Sequence, residues 1–172
     1  MIIELIKYFA SFVLILLIQL LVINNIELTT YVNPYIYIIF ILSLPVTTKP
    51  WHVVVISFGT GMIMDTFSST PGLHMAAVGF MGYFRNFYLQ FACSKEDYES
   101  RIKPSISRKG IVWFLVYVSI MTLMHHMVLF YLEIYSLKEF FRTLLRVLSS
   151  SFFTVLLISV GQILFYPSDK AR

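Results

Sequence analysis

The chain has 172 residues, of which 58% are hydrophobic, 17% aromatic and only 13% charged. Soluble domains are about 45–50% apolar and about 25% charged, and a chain this short cannot hide the surplus in a water-surrounded core; disorder, coiled coil, collagen and an ordinary soluble enzyme are excluded, and a bilayer protein is implied. Thirteen Lys and Arg against nine Asp and Glu give a net charge of +4, but no basic stripe with interleaved stacking aromatics lies outside the apolar runs, so no nucleic acid is expected as a partner.

At about 20 residues per crossing, the length fits six transmembrane helices in one compact all-α polytopic domain, 1–172, with no room for a soluble one. The first span is expected over 5–23. Its apolar run follows Glu4 and Lys7 and ends at Asn24-Asn25 without a small-x-small cleavage site, so it reads as an uncleaved span rather than a signal peptide. The second, 31–48, is framed by Pro34 and Pro45; it is short, and either tilts little or kinks at Pro45. Thr47-Thr48-Lys49-Pro50-Trp51 has the make-up of a membrane interface.

The third and fourth spans, 51–67 and 73–93, are joined by the turn Ser68-Ser69-Thr70-Pro71-Gly72. Residues 94–110 form the long polar loop, with Lys95, Arg101, Lys103, Arg108 and Lys109. The fifth span, 111–135, is followed by Ser136-Leu137-Lys138-Glu139, which reads as a capping box. Behind it, Leu137, Phe140, Phe141, Leu144 and Leu145 alternate with Lys138, Arg142 and Arg146 in the pattern of an amphipathic surface helix over 137–146. It either stands alone or runs into the sixth span, 147–166. With six spans, one side of the membrane holds nine Lys and Arg and the other three, which places both termini in the cytoplasm.

Ionisable and small residues inside spans are the functional candidates, because burying them in a bilayer is costly. Ser57, Gly61 and Asp65 share one face at i, i+4, i+8. Asp65 is either a ligand, proton or partner site, or accepts hydrogen bonds from the 68–70 turn and closes the hairpin. Arg85 lies ten residues deeper in the hairpin, roughly 15 Å, too far to pair with Asp65. It either snorkels to the cytoplasmic headgroups or serves a polar cavity.

Gly72, Ala76, Gly79 and Tyr83 form a stripe suited to close helix packing. His74 falls near Arg85 on the helical wheel and matches Asp65 in depth, but its pairing with Asp65 is open. Ser119, Thr122, His126 and Glu133 line one face of the fifth span, beside His125, as a proton relay or as interhelical hydrogen bonding would require. Ser149 to Ser151, Thr154, Gly161 and Gln162 read as packing and hydrogen-bonding positions of the sixth. Adjacent histidines are a poor metal pair, since the helical spacing for ligation is i, i+4. With one cysteine and no nucleophile elbow, Walker loop or HExxH, neither an enzyme, a cofactor nor a metal is expected.

The hairpin Gly61-Met-Ile-Met-Asp65-Thr-Phe-Ser-Ser-Thr-Pro71-Gly72-Leu73-His74, followed by Gly79, Gly82-Tyr83 and Arg85, resembles the signature of MreD, the rod shape-determining membrane proteins of bacteria. Length, six spans and the basic cytoplasmic loop are similar in outline over the whole chain. The His125-His126 pair and the 137–146 helix match no part of that pattern. The resemblance implies a non-enzymatic component of the inner membrane that binds an MreC-like partner. Through it, such a protein acts with MreB, RodA and a penicillin-binding transpeptidase in peptidoglycan synthesis during elongation. It also implies a fold similar to the substrate-binding subunits of energy-coupling-factor transporters. A vitamin-binding subunit of that kind is the rival expectation, although the Ala-x-x-x-Ala docking motif typical of its first helix is absent here.

Overall fold

A computed structural model describes residues 2–26, 32–135 and 137–165. The architecture is all-helical. Helix α1 (Ile2–Leu21) ends in a 3-10 turn at Ile23–Asn25; a second 3-10 turn, Ile36–Ile38, runs into the short α2 (Ile39–Leu42). Helices α3 (Pro50–Ser68) and α4 (Leu73–Ala92) form a hairpin, and α5 (Lys95–Glu99) and α6 (Ile106–Lys109) punctuate the polar loop. Helix α7 (Ile111–Ile134) is followed by a 3-10 turn at Leu137–Glu139 and α8 (Phe140–Phe165).

Among the described residues three stretches are long and apolar enough to cross a membrane: Tyr8–Asn25, Ile111–Ile134 and Phe140–Leu164. Helices α3 and α4, with 19 and 20 residues, are as long as a bilayer is thick at about 1.5 Å per residue. Their apolar character is diluted by Ser57, Thr60, Asp65, His74 and Arg85, all of which are buried. Outside, the reverse holds: Phe9, Leu21, Phe67, Phe91, Phe152 and Leu164 are exposed. Polar side chains inside and large apolar ones outside suit a hydrocarbon surrounding.

The stretch expected as a helix over 31–48 departs most from expectation. It is helical only over Ile36–Leu42, yet Tyr37, Ile38, Ile41 and Leu42 are fully buried, packed with Met64, Met81, Tyr117 and Met121. The reason is chemical. Pro34 and Pro45 forbid a continuous ladder, and neighbouring side chains satisfy the freed backbone. The N–H groups of Ile36 and Tyr37 donate to Gln19 Oε1 at 2.7 and 3.3 Å, and Gln19 Nε2 donates to the Pro34 carbonyl at 3.1 Å. From α8, the Ser150 and Thr154 hydroxyls accept from the N–H groups of Asn33 and Tyr35 at 2.9 and 3.0 Å. In a hydrocarbon surrounding, irregular backbone is tolerated only when enclosed by protein in this way.

Helix α8 resolves the choice left open for 137–146. Residues 140–146 are the first two turns of one continuous helix, with Phe141 and Leu145 exposed. Arg146 turns back to α7, pairing with Glu133 at 2.9 Å and lying 4.1 Å above the Phe130 ring. Ser136, the expected cap, falls outside the described residues. A capping box does occur at the start of α5, where the Ser94 N–H donates to Asp97 Oδ2 at 2.7 Å and Ser94 Oγ accepts from the Asp97 N–H.

Asp97 also pairs with Lys109 at 2.7 Å, closing the loop between α4 and α7. Burial pushes the Asp97 carboxyl up, but the Lys109 and Ser94 bonds outweigh it and hold the group below its ordinary value. A carboxylate depressed in the folded state stabilises fully above its unfolded value near 4 and loses that contribution as pH falls through the lower folded value. Amide protection of 94–110 is therefore expected to weaken below about pH 4, and Asp97→Asn to remove this pH dependence. Protection insensitive to acid in the unaltered protein would refute the linkage.

Candidate functional site: a buried polar core

Two polar centres occupy the inner faces of α3, α4 and α7. The first is the α3–α4 hairpin. Ser57, Gly61 and Asp65 all face α4 and are buried. A Cβ at Gly61 would collide with Met75 Cα and stand 2.7 Å from the His74 carbonyl oxygen, so only glycine permits this approach. Gly72 has φ +86, the left-handed conformation that a Cβ disfavours. The turn brings the first N–H groups of α4 onto Asp65: its Oδ1 accepts from the His74 N–H at 2.9 Å and the Thr70 hydroxyl at 3.0 Å, and its Oδ2 from the Met75 and Gly72 N–H groups at 2.9 and 3.1 Å. The His74 and Met75 N–H groups, in the first turn of α4, have no partner within their own helix, and the positive end of α4 favours the carboxylate. Asp65 thus closes the hairpin, with the start of α4 as well as the turn as its partners.

The small-residue stripe works differently from expectation. Tyr83 is exposed. Gly79 receives the Phe58 ring, whose nearest carbon would be 3.0 Å from a Cβ there, and Gly82 receives the Ser57 side chain. Because Ser57 Cβ would lie 2.9 Å from a new Cβ at residue 82, Gly82→Ala is expected to destabilise by about 1–3 kcal/mol. Adding Ser57→Gly should recover part of this loss. Thermal midpoints in detergent measure both, and strictly additive effects would show that the two residues do not collide.

The second centre lies where α4, α7 and the 33–42 segment meet. Tyr37 Oη sits 2.9 Å from His74 Nδ1 and 2.9 Å from His125 Nε2. A phenol has one proton, so it donates to one imidazole and accepts from the other; the tautomers of His74 and His125 are linked through it. The Tyr35 ring packs on His74, His125 and His126, with centroids 5.0, 5.9 and 5.6 Å away. His126 Nδ1 donates to the Thr122 carbonyl at 2.9 Å, and its Nε2 stands 3.4 Å from the Thr154 hydroxyl. The His74 imidazole therefore points to Tyr37, and only its backbone N–H meets Asp65. His126 reaches this centre, Thr122 contributes only its backbone carbonyl while its buried hydroxyl has no partner among the described residues, Ser119 is half-buried and Glu133 is held by Arg146.

Arg85 does not snorkel. It is fully buried, with Nε donating to Tyr117 Oη at 3.0 Å and Nη2 donating to the Leu44 carbonyl. Tyr117 in turn donates to the Leu42 carbonyl at 3.0 Å. The carbonyls freed where α2 ends are thus capped by Arg85 and Tyr117 from α4 and α7. His74 and Arg85 share the face of α4 that reads the 33–44 segment, as their helical-wheel positions imply.

Gln19, Tyr35, Tyr37 and Tyr117 carry much of this network, and the sequence singles out none of them. A lone glutamine in the apolar run 12–23 of the first span is the one signal available; the tyrosines look like ordinary apolar residues. Among the described residues no group of three His, Cys, Asp or Glu is arranged to hold a metal. Compared with protein families, curated proteins and solved structures, the chain matches none.

Proposed function

We propose that this chain is a non-enzymatic scaffold of the bacterial cell-elongation complex, similar to MreD. In this reading it crosses the inner membrane six times with both termini cytoplasmic, binds an MreC-like partner, and serves peptidoglycan synthesis indirectly with MreB, RodA and a penicillin-binding transpeptidase. The observation that carries the reading is the hairpin Gly61–Arg85. Its resemblance-bearing residues have structural work that fixes their identity: Gly61 for close approach, Asp65 for closing the turn, Gly72 for its backbone angle. A rigid hairpin end is a suitable docking edge for a partner in the membrane.

The centre of the helix assembly favours a scaffold over a vitamin-binding subunit. The fully buried Tyr37, Ile38 and Ile41 fill the space between the long helices with side chains. The test is depletion of the protein in a rod-shaped host, with tagged co-purification from its membranes. Rounded cells and recovery of an MreC-like protein are the expected results. Normal rods without that partner, or a vitamin retained in stoichiometric amount, would overturn the proposal.

A further inference from the structure

Among the described residues, a fully buried guanidinium without a counter-charge is the least balanced feature. The ion pairs among the described residues are Lys109–Asp97, Arg142–Glu139 and Arg146–Glu133; Arg85 belongs to none of them, and its Nη1 has no hydrogen-bond partner. Arginine cannot shed its proton to escape this cost, and a buried cation held by neutral dipoles alone remains under-compensated.

The next residues of α4 border a cleft of about 460 Å³ whose lining includes Thr47, Thr48, Lys49, Asn86, Gln90 and Tyr98 and does not include Arg85 itself. Among the described residues no acidic side chain lines it. Asn86 follows Arg85 in sequence, Leu89 of the lining lies one helical turn on, and Val46 of the lining follows two residues after the Leu44 carbonyl that Arg85 holds. Helix α3 starts at Pro50 in the same cleft, so the positive end of its dipole is there too, although Pro50 has no N–H and the His52 and Val53 N–H groups donate to the Lys49 carbonyl at 2.9 and 3.2 Å.

We propose that this cleft binds a phosphate-type oxyanion, with Lys49 as its direct charged partner, the Thr47, Thr48, Asn86 and Gln90 side chains as polar ligands, and Arg85 as the fixed counter-charge behind the wall. The chemistry is that of a phospholipid headgroup or of free phosphate. The cleft lies at the loop-bearing end of the helices, where a headgroup would sit. The inference goes beyond the scaffold reading and does not depend on it.

The test uses the full chain in nanodiscs of phosphatidylglycerol or of phosphatidylcholine, and separately in neutral detergent with inorganic phosphate. Retained lipid is counted by native mass spectrometry and phosphate binding is measured by calorimetry. Preferential retention of phosphatidylglycerol, weakened about fivefold or more by Lys49→Gln and unchanged by Lys103→Gln on the neighbouring loop, is the expected result and assigns a lipid headgroup. Phosphate binding in detergent with the same dependence on Lys49, and no lipid preference, assigns a free oxyanion. Arg85→Gln risks the fold, so Gln90→Leu, on an exposed residue, is the second variant and should weaken binding in the same direction. Absence of binding to either probe, or binding indifferent to Lys49→Gln, would overturn the proposal.

Discussion

Asp65→Ala is expected to cost about 3–5 kcal/mol, because it strips the acceptor from the Gly72, His74 and Met75 N–H groups and the Thr70 hydroxyl together. A buried donor left unsatisfied costs more than the net worth of its bond, and here the start of a helix loses all of these partners at once. For a chain of this size the thermal midpoint should fall by roughly 10 °C, measured in detergent by near-UV circular dichroism. Asp65→Asn keeps one oxygen but turns the other position into a donor facing donors, so it should recover little. A midpoint within about 2 °C of the unaltered protein would mean that the carboxylate does not hold the hairpin. The same experiment bears on function: a loss of partner association in Asp65→Ala is informative only at temperatures where the variant is still folded.

Tyr37→Phe is the second large effect, expected at about 2–4 kcal/mol. The phenylalanine fits the same space, so the change isolates the hydroxyl. Its loss leaves His74 Nδ1 and His125 Nε2 without their shared partner, in a residue pair where His125 Nδ1 already has none. Imidazole nitrogen shifts should change for His74 and His125 together and stay in place for His126, which is anchored on the Thr122 carbonyl. Equal perturbation of all three, or of none, would contradict the tautomer linkage through Tyr37. A second substitution, Tyr37→Phe with His125→Leu, should cost less than the two changes added together, since the imidazole left unpaired in the first is removed by the second.

Which parts of this arrangement are legible in the sequence follows from how far apart the interacting residues stand. The hairpin is local: Gly61, Asp65, Pro71, Gly72 and His74 lie within fourteen residues of each other, and i, i+4 spacing plus a turn signature is enough to place glycine and aspartate on one face. The exposed apolar surface is likewise a matter of composition. Helices α1, α7 and α8 are legible as long apolar runs, although the boundary before α8 is not, because Phe140 to Arg146 has an amphipathic pattern and still continues the helix.

The 33–48 segment is the opposite case. Its composition is apolar enough for a span, and its two prolines say only that a regular helix is interrupted. What replaces the helix depends on Gln19, 17 residues before Ile36, and on Ser150 and Thr154, more than a hundred residues later. Arg85 differs for the same reason. On its own helix a long cation near a membrane end should extend to the headgroups. Only the nearby end of α2, with carbonyls that need donors, keeps it inside.

By itself, then, the sequence implied a hydrocarbon surrounding, marked the long helical runs, and placed Gly61 and Asp65 on one face beside the α3–α4 turn, because composition, periodicity and short-range spacing act over a few turns. The tertiary structure alone decided what the buried polar residues do. Each backbone N–H and carbonyl of an irregular segment needs a partner, and that partner can come from any helix the fold brings alongside. Tyr37 between two histidines, Gln19 on the 36–37 backbone and Arg85 at the end of α2 are three answers to that one requirement.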